Sequence, residues 1–124
     1  MGEIIDVTEE QVFQLCGAIE AKIIKAQALV ANGSVVIGLG GLAEVKDDPR
    51  LWAFLDVMPM NPKNGLKVIR ALQNGLRDAG REAAIQCDGD FAERLLTAIG
   101  FEKTDEVRKD WRTGEPRRVW TWRP

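Results

Sequence analysis

LWAFLDVMP (51–59), MNPKNGLKVIRALQNGLRDAG (60–80), REAAIQCDG (81–89) and DFAERLLTAIGF (90–101) follow one another without interruption, and their order decides the fold. In the first piece Leu51, Ala53, Leu55 and Val57 alternate with Trp52, Phe54 and Asp56, so both faces are largely apolar and the strand is expected inside a sheet. A helix is expected next: Leu66, Ile69, Leu72, Leu76 and Ala79 recur every three or four residues, while Lys67, Arg70, Arg77 and Asp78 fall on the opposite side. Gly80 stands where that helix should stop. Ala83 to Cys87 reads as a short strand and Asp88-Gly89 as a turn. Asp90 and Glu93 have the spacing of a reciprocal capping pair that would start a last helix. Two strand-to-helix units in succession imply parallel neighbouring strands with helices packed on a face.

The chain has 124 residues, which predicts one domain, 1–124, with a core of its own and no room for a separate cofactor domain. A formal net charge of -2 gives no global attraction to nucleic acid or to anionic membranes, so any anion site must be local. No run of about 20 apolar residues is present, and Met1-Gly2-Glu3 lacks the basic start of a secretory signal. Asp6 stands where a myristoylation signal has Ser or Thr. These features lead to the expectation of no membrane association and a cytoplasmic location. Cys16 and Cys87 read as buried thiols in a reducing compartment. Histidine and tyrosine are both absent, which removes histidine bases, histidine triads and phenolic acids, and no zinc site is expected. Carboxylates, lysines and two cysteines remain as acids and bases.

Before the deciding stretch, Ile4 and Ile5 can start a short strand, and Thr8 with Gln11 forms a capping box. Val12, Leu15, Ile19, Ile23 and Val30 continue at helical spacing, so residues 1–33 read as an abbreviated, mainly helical N-terminal half, in one helix or in two broken near Gly17. Ser34 to Val45 reads as a strand interrupted by Gly38, Gly40 and Gly41. A dinucleotide loop would need a helix directly after such glycines, whereas here a strand end and Asp47-Asp48-Pro49 follow. The glycines are assigned instead to a bulge or to backbone approached closely from alongside. Residues 34–57 form an expected antiparallel pair. After Phe101, Glu102–Trp111 and Arg117–Arg123 are two strand candidates, with Trp120 and Trp122 on one face. The six Lys/Arg from Arg108 onward, interleaved with tryptophans, could in principle stack on nucleic acid. A solvated hairpin with core tryptophans is the preferred reading, because compensating acids elsewhere leave no basic protein behind the patch.

The order strand, long helix, strand, short helix, Gly-Phe, hairpin resembles the Gcn5-related N-acetyltransferase (GNAT) superfamily over roughly residues 34–123. Ala92, Leu95, Leu96 and Ile99-Gly100-Phe101 are similar to its closing segment, and Val57-Met58-Pro59 to the end of its fourth strand. The resemblance implies an α/β fold with a mixed central sheet flanked by helices. It implies transfer of acetyl from acetyl-CoA (coenzyme A) to a small-molecule or protein amine by direct attack. A catalytically degenerate GNAT-like protein with a binding role, such as a phage virion component, is the alternative, with the host cytoplasm or the virion as its place and a homodimer as an open possibility.

The resemblance also assigns residues. Val57 and Met58 would align the thioester arm. Lys63, Asn64, Gly65, Leu66 and Lys67 would hold the diphosphate, the amides from Asn64 to Lys67 acting as a helix N-terminus acts on any phosphate. The alternative is that Asn64 only caps that helix and both lysines are solvated. The family pattern is Arg/Gln-x-x-Gly-x-Gly/Ala; Gly65 matches its middle glycine, Pro62 replaces Arg or Gln, and Lys67 replaces the second small residue. Leu96 replaces a frequent general-acid tyrosine, and Gly89 stands where an asparagine often precedes the last helix. Asp56 and Glu44 are the carboxylates expected near strand ends to take a proton through water, against plainer roles as a strand-end acceptor and a solvated acid.

Overall fold

The computed structural model describes residues 2–16, 21–32, 35–87, 89–110 and 114–124. One seven-stranded sheet has the order β1-β2-β3-β4-β5-β7-β6. Its strands are β1 (Gly2–Asp6), β2 (Lys22–Ala31), β3 (Val35–Glu44), β4 (Leu51–Val57), β5 (Ala83–Gln86), β6 (Glu102–Lys109) and β7 (Pro116–Trp122). All pairings are antiparallel except β4 with β5, which is parallel as the strand-helix repeat requires. Helix α2 (Pro62–Ala79) and helix α3 (Asp90–Ile99) cover one face, and α1 (Glu9–Cys16) lies against the other. Leu55 and Ile85 of the sheet meet Leu72, Leu76 and Leu96 of the helices in the main core. On the opposite face Val12 of α1 packs with Ala26, Ala28, Leu39 and Phe54. Among the described residues no helix is long and apolar enough to cross a membrane.

The N-terminal half differs from the helical expectation. Thr8 and Gln11 do form the capping box, with amide-to-side-chain bonds of 2.8 and 3.2 Å, but α1 ends by Cys16 and residues 22–31 are a strand paired along β3. The misleading signal has a physical origin: the register skips Ile24, so Ile23 and Ala26 lie three residues apart yet face the same cluster. A bulge therefore imitates helical spacing. A second skip falls at Ile37 of β3, beside Gly38, while Gly38, Gly40 and Gly41 stay paired with β2, so the glycines do not themselves form the bulge. Gly41 instead marks a close approach: a Cβ there would lie 2.2 Å from the Lys25 carbonyl and 2.7 Å from the Phe54 ring, so only glycine fits. Ile19 and Gly17, used in the helical reading, lie outside the described residues.

Two helix starts also move. Asn61, not Asn64, caps α2, and Pro62 takes the first helical position, where its missing N–H costs nothing. Asp90 lies inside α3 behind Gly89, whose side-chain-less cap leaves Glu93 to pair with Lys103 at 3.0 Å; both acids still favour the positive end of the helix. The stops are as expected, with Gly80 and Gly100 in the left-handed region at φ 64° and 118°.

The β6–β7 hairpin buries Trp120 in the main core with Trp122 packed against it, so these two are packing residues rather than a stacking platform; Trp111 lies outside the described residues. Between the pairs Lys103↔Trp120 and Val107↔Arg118, β6 spends Thr104, Asp105 and Glu106 where β7 has Val119 alone. This bulge lies where Glu106 reaches Arg50, just ahead of β4. There Arg50 donates to Glu106 at 2.9 and 3.1 Å and to Asp48 at 3.2 Å through both Nε and Nη2. Trp52 donates its indole N–H to Asp48 at 2.9 Å, and the Arg50 and Arg108 guanidinium carbons lie 5.3 and 5.6 Å from its ring centre.

Burial pushes the Asp48 carboxyl up, but hydrogen bonds from the Arg50 side chain and amide and from Trp52 outweigh it and hold the pKa at about 2, from 3.8. Hydrogen bonding from Arg50 likewise lowers Glu106, and Arg50 is raised by Glu106 and then Asp48. A carboxylate whose folded pKa lies below its unfolded one stabilises the fold above the unfolded value and loses that contribution as pH falls through the folded one. For Asp48, 6% exposed, this amounts to about 2 kcal/mol, lost between about pH 4 and pH 2. Denaturant unfolding across that window is expected to show a falling midpoint in the wild type and a flatter profile in Asp48→Asn; equal slopes would refute the assignment.

Candidate active site

β4 and β5 are paired only at Leu51↔Ala83 and Trp52↔Ala84, although β4 runs on to Val57 and β5 to Gln86. On its other side β4 is paired with β3 from Leu51↔Glu44 through to Val57↔Gly38. The two parallel strands therefore part after their second residue pair and open a wedge at their carboxyl ends, where open α/β sheets receive ligands. The Arg50–Glu106–Asp48 network ties down the closed end, since Arg50 and Trp52 flank the Leu51↔Ala83 pair. Gln86, at the far end of β5, donates its amide to the Arg108 and Arg117 carbonyls at 2.8 and 3.2 Å and binds β5 to the hairpin.

The start of α2 follows β4 after Met58, which is 67% exposed. The Asn61 side chain accepts the Asn64 amide at 2.8 Å, and the Asn61 carbonyl accepts the Gly65 amide at 3.0 Å. Those two donors of the expected diphosphate cradle are therefore engaged, and the Leu66 and Lys67 amides lie inside the helix. Pro62 has no N–H, which leaves the Lys63 amide at the tip with no acceptor among the described residues. The Lys63 side chain is exposed. Lys67 is turned the other way: its ammonium donates to the Gly2 carbonyl, and the buried Asn64 side chain lies where a Cβ on Gly2 would project. Both residues fasten β1 to α2.

Gly65 is buried, yet a Cβ added to it would meet nothing within 4 Å. Neither backbone conformation nor close packing demands glycine there, so the space above it is open to a bound group. That open cradle, the exposed Lys63 and the helix end fit a diphosphate, and the wedge fits an extended arm.

Asp56 is exposed near the end of β4, opposite Leu39 and on the face of Trp52 and Phe54. Glu44 stands opposite Leu51, five positions away and roughly 17 Å along the strand, and faces Arg81 at 3.8 Å. Antiparallel pairing places the two carboxylates at opposite ends of β4, so they do not form one site. Leu96 is fully buried between α2 and the sheet. Among the described residues no group of three or more Cys, Asp or Glu could hold a metal ion. Sequence reasoning missed Asn61 and the Arg50 network. Asn-Pro ahead of an apolar stripe was the available signal for the first; the second joins residues 56 apart and left none.

Neither a protein-family model nor a curated protein matches the chain. Solved structures do, with a TM-score of 0.60 in each of three cases. The ribosomal-protein-S18-alanine N-acetyltransferase of Escherichia coli is 16% identical, over 98% of this chain and 92% of that one. A putative acetyltransferase of Salmonella typhimurium with its cofactor acetyl-CoA is 17% identical, over 91% and 68%. A Gcn5-related N-acetyltransferase of Kribbella flavida is 16% identical, over 95% and 78%. The protein thus has the fold of the Gcn5-related N-acetyltransferases, with the mixed sheet and flanking helices that this fold requires.

Proposed function

We propose that the protein is an acyl-CoA-dependent N-acyltransferase that passes acetyl from acetyl-CoA to an amine. The observation that carries this reading is the open space over Gly65 at the helix end beside the β4–β5 wedge. Lys63, through its amide and ammonium, would neutralise the diphosphate, with Gly65 leaving room for it and Leu66 beside it. Asn64 and Lys67 would act from behind, by fixing α2 against β1. The backbone at Val57 and Met58 would align the arm. Acetyl-CoA supplies an activated thioester carbonyl. Asp56 would take the proton of the attacking amine through water, and with leucine at position 96 solvent would protonate the departing thiolate as the C–S bond breaks. Glu44 has no part in this scheme, given its distance.

Buried Leu96 and the absence of tyrosine favour one second reading, a protein that binds the cofactor without catalysis. Release of free thiol from acetyl-CoA in the presence of an amine panel, including peptides with free N-termini, separates the two. Turnover with at least one amine is expected; binding with no release from any would establish the second reading.

Gly65→Ala provides a sharper expectation. Alanine should stabilise α2 by up to about 1 kcal/mol, because glycine is a poor helix residue. It should also weaken acetyl-CoA binding about tenfold by filling the cradle. A variant that is more stable and binds equally well would show that the space is not used.

A further inference from the structure

A second space lies beneath the middle of α2 and reaches Leu55 and Val57 of β4 on the wedge side. It is a partly enclosed cavity of about 40 Å³ walled by β1, β2, β3, β4 and α2. Its walls include Gly38, Gly40 and Gly41 of β3 and Gly75 of α2; Val57 and Leu55 already fill the space over Gly38 and Gly40, at 3.2 Å from where a Cβ would sit, whereas Gly75 is left with room. Gly75 is a buried interior residue of the helix, where glycine destabilises relative to alanine. Its surroundings do not demand glycine: a Cβ would sit 3.7 Å from Lys25 Cδ and 3.8 Å from Leu42 Cδ1, ordinary contacts. The contrast with Gly41, which steric overlap makes obligatory, is sharp. The core thus keeps a gap that one methyl group would reduce while strengthening the helix.

The remaining walls are apolar apart from Lys25 and Gln27. Gln27 directs its amide to Asp6 at 3.1 Å. Lys25 lies along Gly75, and its ammonium has no ion-pair partner among the described residues. An apolar gap stays dry or takes a small apolar group, and a cation at its wall selects an anionic end. We propose that this cavity binds a short-chain aliphatic carboxylate, with the alkyl chain between Gly40, Gly75 and Leu55 and the carboxylate at Lys25. The volume holds about three or four water-sized groups, which limits the chain to about four carbons. Val57 lines this cavity and also flanks the path proposed for the coenzyme A arm, so butanoate is titrated into protein free of coenzyme A.

Butanoate and n-butanol, titrated separately and followed by NMR of leucine and valine methyl groups, test this. Butanoate is expected to saturate with a dissociation constant on the order of 10 mM or tighter, shifting Leu42, Leu55 and Val68. Butanol should bind at least about fivefold more weakly. Lys25→Met, which keeps the stem, should abolish that preference. Gly75→Ala should melt a few degrees higher and weaken butanoate at least about fivefold. Absence of saturable shifts in the wild type, equal binding of butanol, or undiminished binding in Gly75→Ala overturns the proposal.

Discussion

Asp56→Asn is expected to lower the turnover number for acyl transfer by about 10²-fold or more while leaving acetyl-CoA affinity unchanged, because asparagine keeps the shape but cannot accept a proton. The expectation follows from position. Asp56 stands near the end of β4, where that strand is paired with β3 but has already parted from β5. A base there lies beside the wedge, whereas Glu44 lies at the closed end beside Arg81. Glu44→Gln should therefore leave turnover within about twofold. A pH–rate profile adds a second reading, since loss of the base should remove one limb of it. Unchanged turnover in Asp56→Asn would take this residue out of the mechanism.

Arg50→Met is expected to destabilise the fold by about 3 kcal/mol, lowering the melting temperature by roughly 10 °C. The guanidinium forms fork-like pairs with both Asp48 and Glu106, and its removal leaves Asp48, only 6% exposed, with the Trp52 indole and Arg108 at 3.5 Å in place of its two-pronged partner. Arg50→Lys should recover part of the loss, because an ammonium cannot reproduce two planar forks. The network joins the start of β4 to the β6 bulge across the root of the wedge, so hydrogen exchange should rise at Leu51 and Ala83 before it rises in α2. Denaturant unfolding is the check. A loss below about 0.5 kcal/mol would show that these ion pairs behave as ordinary surface pairs.

The stretch from Leu51 to Phe101 was legible because it obeys single periods. β4 is apolar on both faces, α2 carries one stripe, and Gly80 and Gly100 stop their helices in left-handed conformations. Residues 22–31 were not legible, because the bulge at Ile24 shifts the parity of β2 and gives a strand the spacing of a helix. Asn61-Pro62 encodes the helix start, although the apolar stripe begins only at Leu66, one turn later. For the site, Asp56 and Glu44 both read as strand-end acids. Only the antiparallel register shows that the ends are opposite. The fates of Lys63 and Lys67 were indistinguishable in sequence, since the partner of Lys67 is the carbonyl of Gly2, 65 residues away.

Calorimetric titration of acetyl-CoA into the wild-type protein, Lys63→Ala and Lys67→Ala tests the central claim most directly. Saturable one-to-one binding with a dissociation constant below about 1 mM is expected for the wild type. Lys63→Ala should bind about tenfold more weakly, through loss of a charge-assisted contact. Lys67→Ala should lose stability rather than affinity, since its ammonium holds β1. No heat and no thermal shift at millimolar acetyl-CoA, or equal affinity in Lys63→Ala, would contradict a diphosphate site at this helix end.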